Sequence, residues 1–418
     1  MKHALKAIAY GACMALFLWV TACNMEDSRP SKFQRMAYRV KPAVVRIWAG
    51  VQGTVEYEIG QTRKYDENNF VGSSGSGFIV NPNGYIVTNS HVVRTIYEFD
   101  RNRDLIENQI RTDFLVKVTK QNNLPLTPEN LRRVIEKWKP RIVDLKPQSY
   151  VILLNFKEYP FEIKRYSKGI EEAAHDREGE WKGIAILKIE GKDLPTLKLR
   201  ESDRLHLVEF VFAFGYPESV DLNFRDFKSK WSRVRVTRGT YIDLNANFKG
   251  VRIIRSDVAI NGGNTGGPAI DQDGLVVGVN IYSSEVIDPA LKSPKEAQPF
   301  TFLIPVSTLR EFIRDAGVKG EPSLFDDTYH QALERMWARK LFEGRDLLKK
   351  ALSFIPEQPD IQELIWDVDS EIKTMGLIGR LWETNSILVI SLGINVILIV
   401  GIGVRFLYRR VKGQEAKT

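Results

Sequence analysis

Apolar and polar residues alternate in short runs through the middle of the chain, which is the two-residue period of half-buried strands. Residues 37–51 begin as a helix-like approach and then read as a strand, with Val44, Val45, Ile47 and Trp48 apolar. Residues 57–69 are polar and read as a loop. A turn in the glycine- and serine-rich run at 72–77 feeds a strand through Phe78, Ile79 and Val80. Asn81-Pro82-Asn83-Gly84 is a hairpin signal, and Tyr85-Ile86-Val87-Thr88 returns to deliver Asn89-Ser90-His91-Val92-Val93. Further alternating runs lie at 150–154, 161–164 and 251–257, and 274–280 reads as another strand.

The period changes twice. Between Arg94 and Pro147 the chain is polar and helix-prone, including 128–138, an insertion between strand runs that reads as a solvated surface excursion or as a segment that covers a cleft or binds a partner. From Asp326 to Thr374, Ala332, Leu333, Met336 and Leu341, then Leu347, Leu348, Ala351, Leu352 and Ile355, follow helical spacing, with Pro356 and Pro359 as punctuation. Within a helical segment spanning 318–380 this pairing resembles one tetratricopeptide-type helical hairpin, with a plain helical linker as the alternative.

The ends carry membrane signals. Lys2, His3 and Lys6 precede an apolar stretch at 7–20, and Val20-Thr21-Ala22-Cys23 closes it, which is a secretory signal over 1–22. The small residue before cysteine resembles the lipobox of bacterial lipoproteins and makes Cys23 the expected lipidation site, ahead of a linker at 23–36. Cys13 lies inside the apolar stretch, so the mature body has no pair for a disulfide. An apolar run at 387–404, broken by Ser391 and Asn395, is long enough to span a bilayer as a helix over 386–408. Arg405, Arg409, Arg410 and Lys412 follow it, placing the tail 409–418 in the cytoplasm and the body on the periplasmic side of an inner membrane.

Composition adds little: 43% hydrophobic and 27% charged residues in 418 is ordinary for a globular chain. The net charge of +8 comes from scattered lysines and arginines, with no basic cluster interleaved with aromatics, so nucleic acid is not an expected partner.

The chemistry concentrates in Asn261-Gly262-Gly263-Asn264-Thr265-Gly266-Gly267-Pro268, where turn-forming residues surround one hydroxyl between two strand runs. The run resembles the GNSGGP loop of trypsin-like serine proteases of the HtrA/DegP type, with Thr265 at the serine position. Gly75-Ser76-Gly77-Phe78-Ile79-Val80 through Asn89-Ser90-His91-Val92-Val93 is similar to the family's GSGFII…DGYILTNxHVV block. Gly183-Ile184-Ala185-Ile186-Leu187-Lys188-Ile189 is similar to its D-L-A-V-L-K-I strand, with Gly183 at the aspartate. Phe212 to Pro217, Val236-Thr237-Arg238-Gly239-Thr240 and Phe302-Leu303-Ile304-Pro305 match its A-I-G-x-P, V-T-x-G-I and F-A-I-P segments in order.

The resemblance covers about 37–317. It implies a mainly β, chymotrypsin-like double β-barrel, here carrying the 94–147 insertion and followed by helices and the membrane span rather than by a PDZ pattern. It makes His91 the general base, Thr265 the degenerate nucleophile position, Gly183 the position of a lost aspartate, and the amides of Gly263 and Thr265 the oxyanion hole.

A serine protease needs a nucleophile, a base, an acid that fixes the base's tautomer, and oxyanion donors. Threonine's methyl stiffens χ1 and crowds attack, and losing the orienting carboxylate costs on the order of 10⁴-fold in the worked triad example. Asp176, Glu178, Glu180 and Asp257 are the carboxylates near enough in sequence to be considered as substitutes, Asp176 first. His175 and His206 follow no metal-ligand spacing with His91, so neither a metal nor another cofactor is expected.

The expectation is therefore a membrane-anchored pseudoprotease that binds peptide or unfolded-protein segments and envelope proteins, with homo-oligomers a further expectation. The alternative is a weak or conditional endopeptidase using Thr265 and His91.

Overall fold

The computed structural model describes residues 30–169, 182–203, 206, 208–216, 233–248, 251–260, 262–281, 301–375, 401–403, 405, 406 and 409. The chain divides into two units, Met1–Arg35 and Met36–Thr418. In the first, Ser31 and Gln34 cap the start of helix α1 (Lys32–Val40) reciprocally: the Gln34 amide donates to Ser31 Oγ at 3.3 Å and the Ser31 amide to Gln34 Oε1 at 2.8 Å. The signal segment and Cys23 lie outside the described residues.

The second unit holds two closed six-stranded barrels. The first runs in spatial order β1 (Val44–Ile59), β2 (Thr62–Asn81), β3 (Tyr85–Asn89), β6 (Ile184–Ile189), β5 (Glu158–Tyr166) and β4 (Arg141–Ile152). The second comprises β7 (Phe210–Gly215), β8 (Arg235–Phe248), β9 (Val251–Ser256), β10 (Pro268–Ile270), β11 (Val276–Ile281) and β12 (Thr301–Pro305), with β10 closing onto β7. Closure leaves no free sheet edge, and every neighbouring pair is antiparallel. This is the expected mainly β double barrel.

The polar stretch at 57–69 is not a loop. It is the tip of a long hairpin, with Val55 opposite Asp66, Tyr57 opposite Lys64 and Ile59 opposite Thr62, turning at Gly60 with φ 64°. Its strands hold because helices α3 (Arg103–Gln121) and α4 (Pro128–Trp138) cover one face of it. The Tyr57 ring lies 5.2 Å from both Phe114 and Trp138. Val51, Val55, Ile106, Ile110, Phe114 and Val134 form a small core of their own, so residues 94–147 are more than a solvated excursion. Likewise residues 72–77 lie within β2 rather than in a turn. There Gly72 crosses so close to β1 that a Cβ would sit 2.5 Å from the Ala49 carbonyl oxygen.

After helix α5 (Val306–Asp315), the chain returns to the first barrel as α6 (Leu324–Trp337), α7 (Leu341–Phe354) and α8 (Pro359–Thr374). Phe325, Tyr329, Ala332, Leu333, Leu348 and Ile361 belong to the same apolar cluster as Val45, Ile47, Ile86, Leu187 and Val92. Ser323 caps α6 and also donates to the Leu194 carbonyl at 2.8 Å, while the Asp326 carboxylate accepts from Thr196 N at 3.0 Å and Thr196 Oγ1 at 2.6 Å. Burial pushes the Asp326 carboxyl up to about 6.

Among the described residues no helix is long and apolar enough to cross a membrane. The span expected at 387–404 lies outside them except for 401–403.

Candidate active site

The site sits where the two barrels meet. Strand β3 ends at Asn89, whose extended backbone (φ −77°, ψ 147°) opens helix α2 (Ser90–Tyr97) and sets His91 in its first turn. From the other barrel, a single 3₁₀ turn (Gly262–Asn264) leads into Thr265, followed by Gly266 at φ 80°. The Gly266 amide donates to the Asn280 carbonyl at 2.9 Å and the Asn280 amide returns to the Gly267 carbonyl at 2.9 Å, fastening the loop to β11. A Cβ on Gly266 would meet Ser76 O at 2.3 Å and Thr88 Oγ1 at 2.4 Å, so glycine is required there by space as well as by φ.

Ser76, in the middle of the Gly75-Ser76-Gly77 run, ties the barrels together. Its amide donates to the Thr265 carbonyl at 2.9 Å, its hydroxyl donates to the Gly263 carbonyl at 2.6 Å, and that hydroxyl accepts from the Tyr216 amide at 2.9 Å. Sequence reasoning quoted Ser76 only as part of a motif. A serine between two glycines on a buried strand was the available signal, because a buried hydroxyl must find partners.

Thr265 is 5% exposed. Its Oγ1 lies 3.0 Å from Asn89 Oδ1, 3.3 Å from His91 Nε2 and 3.4 Å from the Asn280 carbonyl. The structure thus brings Thr265 and His91 together and adds Asn89, whose role the sequence did not disclose.

Gly183 lies beside Asn89 and Ser90. Its backbone is left-handed, at φ 65°. Its amide donates to the Lys168 carbonyl at 3.0 Å, and its own carbonyl accepts from Ser90 N at 2.9 Å and from Asn89 Nδ2 at 3.3 Å. Gly183 thus presents a peptide oxygen to Ser90 and Asn89.

Burial, with the nearby Arg94 guanidinium second, lowers His91 to about 4. No carboxylate acts on it among the described residues. Asp257 is spent elsewhere, accepting from the amide of Thr240 and, at 3.0 Å, from its hydroxyl. His206 lies in a separate turn, where its amide donates to Glu209. His175, Asp176, Glu178 and Glu180 fall outside the described residues, among which no cluster of metal-binding groups occurs.

Two closed barrels with a histidine and a hydroxyl facing across their junction define a trypsin-like arrangement, and residues 75–279 match the sequence model of the trypsin-like peptidase domain. The chain carries that domain and is homologous to DegP-like serine endoproteases. It is 28% identical over 208 residues to a probable periplasmic serine endoprotease DegP-like of Pseudomonas fulva, covering 50% of this chain and 29% of the relative. It is 26% identical over 286 residues to the protein so named in Pseudomonas putida strain W619, covering 62% and 45%. The chain thus spans less than half the length of these relatives. A solved serine endoprotease from Yersinia pestis is 18% identical, with 69% of this chain and 67% of the other covered at a TM-score of 0.39. That likeness adds nothing to the strand order above.

Proposed function

We propose that this protein is a pseudoprotease of the cell envelope, which keeps the peptide-binding cleft of its DegP-like relatives and has lost efficient turnover. The observation that carries the reading is the Gly183 corner. Position 183, where the resemblance expects the orienting acid, offers His91 no carboxylate, and its carbonyl is bonded to Ser90 and Asn89. An imidazole lowered to about 4 takes up a proton poorly near neutral pH, so His91 is a weak general base. The periplasmic designation of the relatives, together with the apolar run at 387–404, supports a body held outside an inner membrane by that run. Peptide or unfolded-protein segments and envelope proteins are the partners, and self-assembly belongs to the same proposal.

The second reading, a weak endopeptidase using Thr265, rests on the 3.3 Å approach of Thr265 Oγ1 to His91 Nε2. The experiment that separates the two is fluorophosphonate labelling of the purified chain beside Thr265→Ala and the double variant Thr265→Ser/Gly183→Asp. The pseudoprotease reading expects label only in the double variant. Labelling of the unmodified chain that disappears in Thr265→Ala establishes the enzyme reading instead.

A further inference from the structure

The Thr265 hydroxyl has one proton and three acceptors within reach. The shortest contact is to Asn89 Oδ1 at 3.0 Å. The orientation of the Asn89 carboxamide is dictated by its other end. There it meets the Gly183 carbonyl at 3.3 Å, which can only accept, so the amide nitrogen must face it and the oxygen must face Thr265. Asn89 is 1% exposed, leaving no room for solvent to replace either partner.

With the proton of Thr265 placed on Asn89, the lone pairs of Oγ1 face His91 Nε2 at 3.3 Å. An unprotonated nitrogen there would set lone pair against lone pair, so Nε2 carries the ring proton and donates. A working general base needs the opposite arrangement, with Nε2 unprotonated toward the hydroxyl and Nδ1–H held by a carboxylate.

We propose that Asn89 is a positioning residue that sets the hydrogen bonds of this site in reverse, running His91 Nε2–H to Thr265 Oγ1–H to Asn89 Oδ1, and Asn89 Nδ2–H to the Gly183 carbonyl. The proposal deepens the pseudoprotease reading and rests on it. With no carboxylate at position 183 to hold Nδ1–H of His91, the other order of bonds is free to form: the Gly183 carbonyl fixes Asn89, Asn89 takes the hydroxyl proton, and the hydroxyl fixes the histidine tautomer.

The test is nitrogen NMR of the full chain labelled with ¹⁵N-histidine at neutral pH, with the His91 signals assigned by their loss in His91→Gln. The expected result is a neutral ring protonated at Nε2. In Asn89→Ala the nearest acceptors left to Thr265 are His91 Nε2 and the Asn280 carbonyl, so the tautomer balance is expected to move toward Nδ1–H. Protonation at Nδ1 in the unmodified protein overturns the proposal, as does a tautomer balance in folded Asn89→Ala equal to the unmodified one. Should Asn89→Ala fail to fold, the unmodified tautomer decides alone. An Nδ1–H result with no labelling of the unmodified chain sinks the reversed polarity and leaves the pseudoprotease reading standing. Labelling of the unmodified chain sinks that reading whatever the tautomer.

Discussion

The loop around Thr265 and the corner around Gly183 are both reached by the Asn89 side chain, yet they are built on different terms. The loop is over-determined, with two bonds to Asn280, two carbonyls taken by Ser76, and glycines packed where no side chain fits. At the Gly183 corner the fixed groups are backbone, an amide on Lys168 and a carbonyl shared by Ser90 and Asn89. The contacts that hold the loop thus use Ser76 and the main chain and ask nothing of a side chain at position 183, so the junction of the barrels does not depend on what stands there.

The contrast can be broken most forcefully at Gly266. Its Ala variant places a methyl 2.3 Å from a carbonyl oxygen at φ 80°, and a loss of roughly 3 kcal/mol or more is expected by thermal or urea unfolding. A Gly266→Ala protein as stable as its parent would mean the loop is not the rigid partner in the comparison. Ser76→Ala comes next: it leaves the buried Tyr216 amide without its acceptor and the Gly263 carbonyl without its donor, at a cost of about 2 kcal/mol in the same measurement.

Acid sharpens the comparison by reading the histidines. His91 and His330 are both lowered to about 4 from 6.5, in each case chiefly by burial, so between those values the unfolded chain binds two protons that the folded chain refuses. Asp326, raised to about 6 from 3.8, works the other way and gives the folded chain one proton in nearly the same window. The net is one proton in favour of the unfolded state. Stability should therefore fall as pH drops from about 6 to 4, by up to about 1.4 kcal/mol per pH unit. His330→Gln should flatten that dependence when midpoints are compared across the window, and an unchanged slope would remove His330 from the account. The smallest effect belongs to Lys117→Met, which breaks the 2.6 Å pair with Asp66 between α3 and the hairpin and should cost less than about 1 kcal/mol.

Strand positions such as Tyr85–Asn89 and Ile184–Ile189 were legible as short runs rich in β-branched and aliphatic residues, which the structure buries on both faces. His91 and Thr265 could be picked out because each sits inside a motif, and the structure brings them within 3.3 Å of each other. The hairpin tip at 57–69 was not, since its strands are stabilised by Phe114 and Trp138, far away in sequence and invisible to a local pattern. Nor was the part played by Asn89, whose significance depends on a distance to Thr265 across 176 positions of chain.

The helices at 324–374 carry a consequence for how the molecule is made. Side chains that complete the apolar cluster of the first barrel, Phe325, Tyr329 and Leu333 among them, are synthesised long after Val45 and Ile47, with the second barrel in between. Until they emerge, the first barrel presents an oily face with nothing to cover it. The earliest-made part of the body is thus among the last to be finished, and a chain interrupted after α5 would expose a sticky half-core rather than release a smaller working domain.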